Sequence, residues 1–315
     1  MFEESRVAVP GGEDYDGGWG GRLVPDGRGA VLTTLSSASG STPLVLIDVF
    51  NGRVDSHGVV DGDLRDGCLD AAGRLWLLST RGLSVFDRAT RDRIGVVKSG
   101  LGTYKWDIFA LGEGLLGVSS WSSKTTTLVS ATERRVIKQL RFPSPDLTVP
   151  LAADRLMLCS FHAGTRAMLD RRTLRATDAH ELPTGVGPVL VDSTIHVALG
   201  RRRRADRHIP ASQLWNVRAT RLAGLDVSGF AQRYRARAPR RFRRFLGADS
   251  HGRLIAQTAR TIRLLDPETY QTLAIWTSPD GTVAELWSAC HLAPHDAVAV
   301  RPNQFWASDL TVLTW

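Results

Sequence analysis

The stretch Asp66-Gly-Cys-Leu-Asp-Ala-Ala-Gly-Arg-Leu-Trp-Leu-Leu-Ser-Thr80, continued by Gly82-Leu-Ser-Val-Phe-Asp87, sets the terms for the whole chain. It reads as a short strand, a turn built on Asp and Gly, an apolar strand, a short loop, and an alternating strand that ends in an acid. A polar turn follows, then a fourth strand over Arg93 to Lys98. Every segment is too short for a helix. Gly, Asp and Asn punctuate the segments where a tight hairpin needs residues that tolerate positive φ.

The same grammar recurs along the 315 residues. Second strands are expected to begin near Val31, Leu75, Leu115, Leu156, Ile195, Leu254 and Val298. The gaps between them are 39 to 44 residues, apart from one of 59. Third strands end alike, in Leu46-Ile47-Asp48, Val85-Phe86-Asp87, Met168-Leu169-Asp170, Leu214-Trp215-Asn216 and Leu264-Leu265-Asp266. A period of roughly 40 to 45 residues is that of a four-stranded blade, a unit that cannot bury its apolar faces alone. Seven copies predict an all-β fold, a seven-bladed β-propeller made as one domain over residues 1–315. The last visible strand, Leu310 to Trp315, is a third strand. Glu4 to Val9 has strand composition and is expected to supply the missing fourth.

The Gly-Arg-Leu-Trp run at Gly73 to Trp76 and the Phe-Asp pair at Phe86 and Asp87, with their weaker copies, resemble the WD40-like and NHL-like propeller superfamily. The Gly-His opening and Trp-Asp ending of true WD40 blades do not recur here as a pair. In size and composition the chain also resembles the propeller member of bacterial three-component systems. That resemblance implies an adaptor working with a MoxR-type AAA+ ATPase and a von Willebrand A-domain protein.

Composition narrows the class. No run of 18 apolar residues is present, and Met1 to Pro10 carries Glu3 and Glu4 with no apolar stretch, so neither a membrane span nor a signal peptide is expected. The expected location is the cytoplasm. Cys68, Cys159 and Cys290 are sparse and far apart, which reads as buried small hydrophobes and not as a disulfide or zinc framework. The nine Trp are spread along the repeats, as expected of large aromatics packed between neighbouring sheets.

Few constellations could carry chemistry. Cys290-His291-Leu-Ala-Pro-His295-Asp296 is dense in metal-capable groups, but Pro294 opposes the helix that would align His291 with His295, and a polar hairpin turn is expected. Asp107, Asp192 and Asp249 could hold calcium at inner-strand ends and are read instead as turn acids. Gly17-Gly-Trp-Gly-Gly21 lacks the Lys-Ser/Thr ending of a phosphate loop, and no Gly-x-Ser-x-Gly is present. No catalytic residue, metal site or cofactor is therefore assigned. A hydrolase or lactonase-like site over the central channel remains as a third reading of function.

The strongest functional signal is charge. The formal net charge is +8, yet Arg201 to Arg244 holds fourteen Arg against Asp206 and Asp226, so the remainder of the chain is net acidic. This segment coincides with the long gap, which places Arg-rich insertions in blade five at about residues 200–210 and 231–245. The candidate partner-binding residues are Arg201, Arg202, Arg203, Arg204, Arg207, Arg233, Tyr234, Arg235, Arg237, Arg240, Arg241, Arg243 and Arg244. Arginine offers a planar fork that grips carboxylates and phosphates at two points. The expected partner is a protein with an acidic surface. The alternative is nucleic acid or another polyanion, with Tyr234, Phe242 and Phe245 as stacking platforms within the basic stripe.

Overall fold

The structure, a computed structural model, describes residues 1–8, 23–34, 41–62, 64–90, 92–102, 105–120, 125–177, 180–202, 217–279, 286–302 and 309–315. It is all-β, with seven antiparallel sheets, six of four strands and one whose fourth strand is split in two, a seven-bladed β-propeller. Among the described residues the one helical turn is a 3-10 turn at Ala293–His295. Second strands start at Ala30, Leu75, Leu115, Arg155, Thr194, Leu254 and Ala297, each within one residue of the expected position. Glu3–Ala8 pairs antiparallel with Asp309–Thr314, with Glu3 opposite Thr314, and so completes the seventh blade.

The chain forms two compact units. One comprises Glu3–Leu140 with Trp287–Trp315 and holds blades one, two, three and seven. Blade two shows why the repeat folds. Its strands are Leu64–Leu69, Leu75–Ser79, Gly82–Phe86 and Arg93–Val97. Every residue of the two middle strands is buried, because each face meets a neighbouring blade. Leu75, Leu77 and Phe86 pack with Leu32, Leu44 and Leu46 of blade one. Trp76, Leu78, Leu83 and Val85 pack with Ile108, Leu116 and Val118 of blade three. Alternation along one strand thus feeds two different cores.

Two turn devices explain the recurring acids. Before the second strand, the Asp70 carboxylate accepts the backbone N–H of Ala72 and Arg74, the Arg74 Nε–H at 2.7 Å and the Trp76 indole N–H at 2.9 Å. Burial pushes its pKa up, but these donors outweigh burial and hold it below the ordinary carboxylate value. Gly73 closes the turn at φ 74°. Asp249 repeats the arrangement in blade six, taking the N–H of His251 and Arg253 and the Arg253 Nε–H at 2.6 Å, with Gly252 at φ 76°. After the third strand, the Asp87 side chain accepts the N–H of Ala89 and Thr90. Asp48, Asp170 and Asp266 do the same two and three residues on. These are Asx turns that satisfy the backbone of the hairpin to the fourth strand.

The second unit comprises Met1–Phe2 with Arg141–Leu286 and holds blades four, five and six. Blade four has strands Leu147–Ala152, Arg155–Ser160 and Thr165–Asp170, and a fourth strand reduced to Arg175–Ala176 and His180–Glu181. Blade five has Gly185–Val191, Thr194–Arg202, Val217–Asp226 and Gln232–Arg237. Blade six has Phe242–Ala248, Leu254–Thr258, Thr261–Leu265 and Thr272–Thr277. Val149, Met157, Cys159 and Phe161 pack against Val197, Ala223 and Leu225 between blades four and five. Ala198, Leu222, Phe245 and Leu254 join blades five and six. His196 is buried there, its Nδ1 2.9 Å from the Tyr270 hydroxyl. Burial alone drives the His196 pKa down to about 4, so the ring is neutral in the folded protein.

Candidate macromolecule interface

Blade five combines a long middle hairpin with an edge strand of alternating character. Arg201 and Arg202 extend the second strand, their backbones pairing with Arg218 and Val217. Arg203, Arg204 and Arg207 lie outside the described residues. The second arginine stretch is regular β-structure. Arg233, Tyr234, Arg235 and Arg237 all belong to the fourth strand, the outer edge of the sheet. Along it Arg233, Arg235 and Arg237 are exposed, while Tyr234 and Ala236 are half-buried against the core shared with blade six. Period two therefore sorts the strand into a guanidinium face and a packing face. Gly224, directly opposite Tyr234, makes room for that ring; a Cβ there would sit 2.7 Å from Tyr234 Cδ2.

The guanidinium face extends inward and across to blade four. Arg221 on the third strand stands directly opposite Arg237, so the two side chains share a face, and both are exposed. Like charges placed so disfavour one another unless an anion lies between them. Asp226 offsets one charge through an ion pair with Arg233. On blade four, Arg166 lays its guanidinium 4.4 Å from the centre of the Phe230 ring, and His180 stands directly opposite Arg166. Arg166 thus bridges from the third strand of blade four to the hairpin before the blade-five edge strand.

The remaining candidates lie beyond the edge strand. Arg240 and Arg241 are exposed in the link to blade six, where Arg241 adopts φ 57°. Arg243 and Arg244 are half-buried in the first strand of blade six, and Arg244 Nε donates to Gln257 Oε1 at 3.2 Å. Phe242 and Phe245 cannot serve as stacking platforms. Both are buried and meet each other edge to face at 5.0 Å in the core between blades five and six; three residues apart, they share that core because the strand is irregular between Phe242 and Arg244. Arg260 and Arg263 of the next hairpin, which charge counting within Arg201 to Arg244 missed, also approach Arg240 and Arg241. The signal that could have found them is Arg260-Thr261-Ile262-Arg263, a basic hairpin beginning one strand later.

Other sequence candidates resolve into structural roles. Asp249 holds its turn, as described above. Asp192, at φ 51°, lies in the turn between the first two strands of blade five, and Asp107 lies within the first strand of blade three, Lys105–Gly112. His295 follows the strand that carries His291; it sits in the 3-10 turn with its ring 4.4 Å from that of Phe50. Among the described residues no group of three or more His, Cys, Asp or Glu is arranged to hold a metal ion. One Ser, His and Asp do meet in blade four. Ser160 is fully buried, donates to the Ser144 carbonyl at 2.9 Å, and lies 3.4 Å from both nitrogens of His162. Asp146 accepts the N–H groups of Phe161 and His162 and sits 3.1 Å from His162 Nδ1. This trio clamps a hairpin; a nucleophile would need an accessible hydroxyl. Burial pushes the Cys159 thiol up to about 12, and Cys68 higher still, so neither is a thiolate at neutral pH.

Comparison with solved structures places the fold. A chain in a crystal structure of the mitotic checkpoint complex superimposes with a TM-score of 0.69 at 8% identity, covering 99% of this chain and 91% of that one. The fold is that of the WD40-like and NHL-like propellers. Virginiamycin B lyase from Staphylococcus aureus matches at 0.68 and 12% identity over 100% of both chains. The WD40 domain of Pan2 from Neurospora crassa matches at 0.68 and 13%, over 99% and 94%. At these identities the likeness is one of fold alone. No protein-family model matches the sequence, and no curated protein matches it. Among the described residues no helix is long and apolar enough to cross a membrane.

Proposed function

We propose that this propeller is a non-catalytic interaction platform that docks an acidic protein surface against the arginine-bearing edge of blade five. One observation carries the reading: Arg233, Arg235 and Arg237 stand exposed at every second position of an edge strand, with Arg221 beside them on the same sheet face. Successive members of that row are about 7 Å apart along the strand. Such a spacing suits carboxylates carried at alternate positions of an extended segment, each able to take a two-point contact. The rest of the propeller supplies stiffness, so binding orders little beyond the partner. The likeness to WD40 propellers supports protein interaction in general terms. The AAA+ ATPase and von Willebrand A-domain proteins implied by the sequence resemblance are the first partners to assay.

The test is affinity capture with purified candidate partners, comparing the native chain with an Arg235→Ser/Arg237→Ser variant. An acid-rich partner held by the native chain and released by the variant supports the reading; equal retention overturns it. Nucleic acid gives a different signature. Counterion release would make its affinity fall by orders of magnitude between low and moderate salt, for every sequence alike.

A further inference from the structure

In blade five the residues that expose guanidiniums also carry the outward backbone edge of the sheet. The Ala238 N–H donates to the Thr220 carbonyl at 3.2 Å, and this pair continues the register that sets Arg237 opposite Arg221 and Ala236 opposite Leu222. Opposed residues of an antiparallel pair alternate between exchanging both backbone bonds and exchanging none. Ala238, Ala236 and Tyr234 therefore turn their N–H and C=O groups inward to the third strand, and Arg237 and Arg235 turn theirs outward. Among the described residues no strand pairs beyond this edge. The two side-chain faces of the strand also differ. Ala223, opposite Arg235, packs in the core shared with blade four, so the arginine face looks toward blade four. Arg233 is offset by Asp226, whereas Arg221, Arg235 and Arg237 have no such carboxylate among the described residues. Tyr234 and Ala236 look toward blade six. The edge strand of blade six, Thr272–Thr277, holds Ile275 half exposed, opposite Arg263, which is itself opposite Ala256. Ala256 belongs to the core between the two blades, so Ile275 faces blade five.

We infer that blade five takes up a fifth strand: an extended partner segment, paired antiparallel, with Glu or Asp at every second position and apolar residues between them. The inference rests on the docking of an acidic partner proposed above and adds how the partner is held. Antiparallel addition continues the pairing of the blade and is the slightly stronger of the two modes. An acid opposite Arg237 lies on the face of Arg237 and Arg221, and its carboxylate relieves two like charges that otherwise disfavour one another. The residues between the acids turn to the opposite face, toward Tyr234, Ala236 and the side of Ile275, where apolar groups are drawn out of water. Main-chain bonds to Arg235 and Arg237 supply affinity, and the two faces supply specificity. A nucleic acid has no amide groups to complete such an edge.

Isothermal titration of the full chain with a Glu-Val-Glu-Val-Glu-Val peptide decides it, because the peptide can be altered while the protein stays native. In an added antiparallel strand the residues opposite Arg235 and Arg237, the glutamates, turn their N–H groups to the blade, and the valines turn theirs to solvent. Saturable one-to-one binding is expected. N-methylation of the glutamates, which removes those donors, should weaken it by roughly tenfold or more, and N-methylation of the valines should leave it within about twofold. Arg235→Ser/Arg237→Ser should cut affinity by roughly tenfold per guanidinium, and Ile275→Ser should cost a smaller factor. Equal tolerance of both methylations, or a greater loss from methylated valine, overturns strand addition while leaving docking of acids on the arginine row intact. Absence of saturation, or affinity indifferent to Arg235→Ser/Arg237→Ser, overturns both. An oligothymidylate of equal charge bound more tightly than the peptide overturns strand addition in favour of a polyanion site.

Discussion

Blades two and five are wired alike, four antiparallel strands with the same order, yet they spend their alternation differently. In blade two both faces of the middle strands are buried, and Trp76 ties the packing to the turn through Asp70. In blade five the inner strands pack on both sides, but the edge strand turns one face into a row of arginines. The difference teaches that a repeat can keep its core-forming positions and still leave one face of its outermost strand, with its charges, to solvent. Edge strands are where a sheet has backbone groups to offer and where side chains on one face meet solvent.

That contrast is open to test, beginning with its strongest arm. Trp76→Ala should cost about 3–5 kcal/mol, because it opens a cavity between blades two and three and removes a donor from the buried Asp70 carboxylate. A urea midpoint within error of the native chain would break the claim that blade two is there for stability. Next, Asp70→Ala and Asp249→Ala should each cost about 1–3 kcal/mol, since each strands two backbone N–H groups and an Arg Nε–H in its turn. Similar losses in blades two and six would show that the turn device is independent of the outer surface.

The buried face of blade five has a pH signature. The His196 pKa is about 4 in the folded chain and 6.5 in the unfolded one, so the unfolded state binds more protons between these values. Stability should therefore rise with pH through that window, with about 2 kcal/mol lost at pH 5 relative to pH 7. Denaturant midpoints at the two pH values, in the native chain and in His196→Gln, measure it; an undiminished difference in the variant would assign it elsewhere. The smallest expected change in stability is that of Arg235→Ser/Arg237→Ser, within about 0.5 kcal/mol, as both side chains are exposed. A large loss there would mean that the arginine row holds the blade together, and the contrast between the two blades would fail.

Much of the fold was legible because the repeat writes its own boundaries. Asp and Gly before the second strand, and an acid after the third, are the residues that the two turn types use, so spacing alone located second strands to within a residue. The closure of the seventh blade by Glu3–Ala8 followed from counting. The site was only half legible. Arginine density pointed to blade five, but composition carries no facing. It could not tell that Tyr234 packs inward while Arg233 and Arg235 point out, or that Phe242 and Phe245 are core. Nor could a window ending at Arg244 include Arg260 and Arg263, which reach the same place through hairpin pairing across a sheet.

The pairing of Glu3 with Thr314 brings the two ends of the chain side by side on neighbouring strands. A few residues of linker would join them, and the exposed hairpin at Asn51 and Gly52 could be opened instead. Such a circular permutant should keep every ladder of the parent while moving its new ends to blade one, which makes it a means of attaching a fluorophore or a fused domain at a different point of the ring.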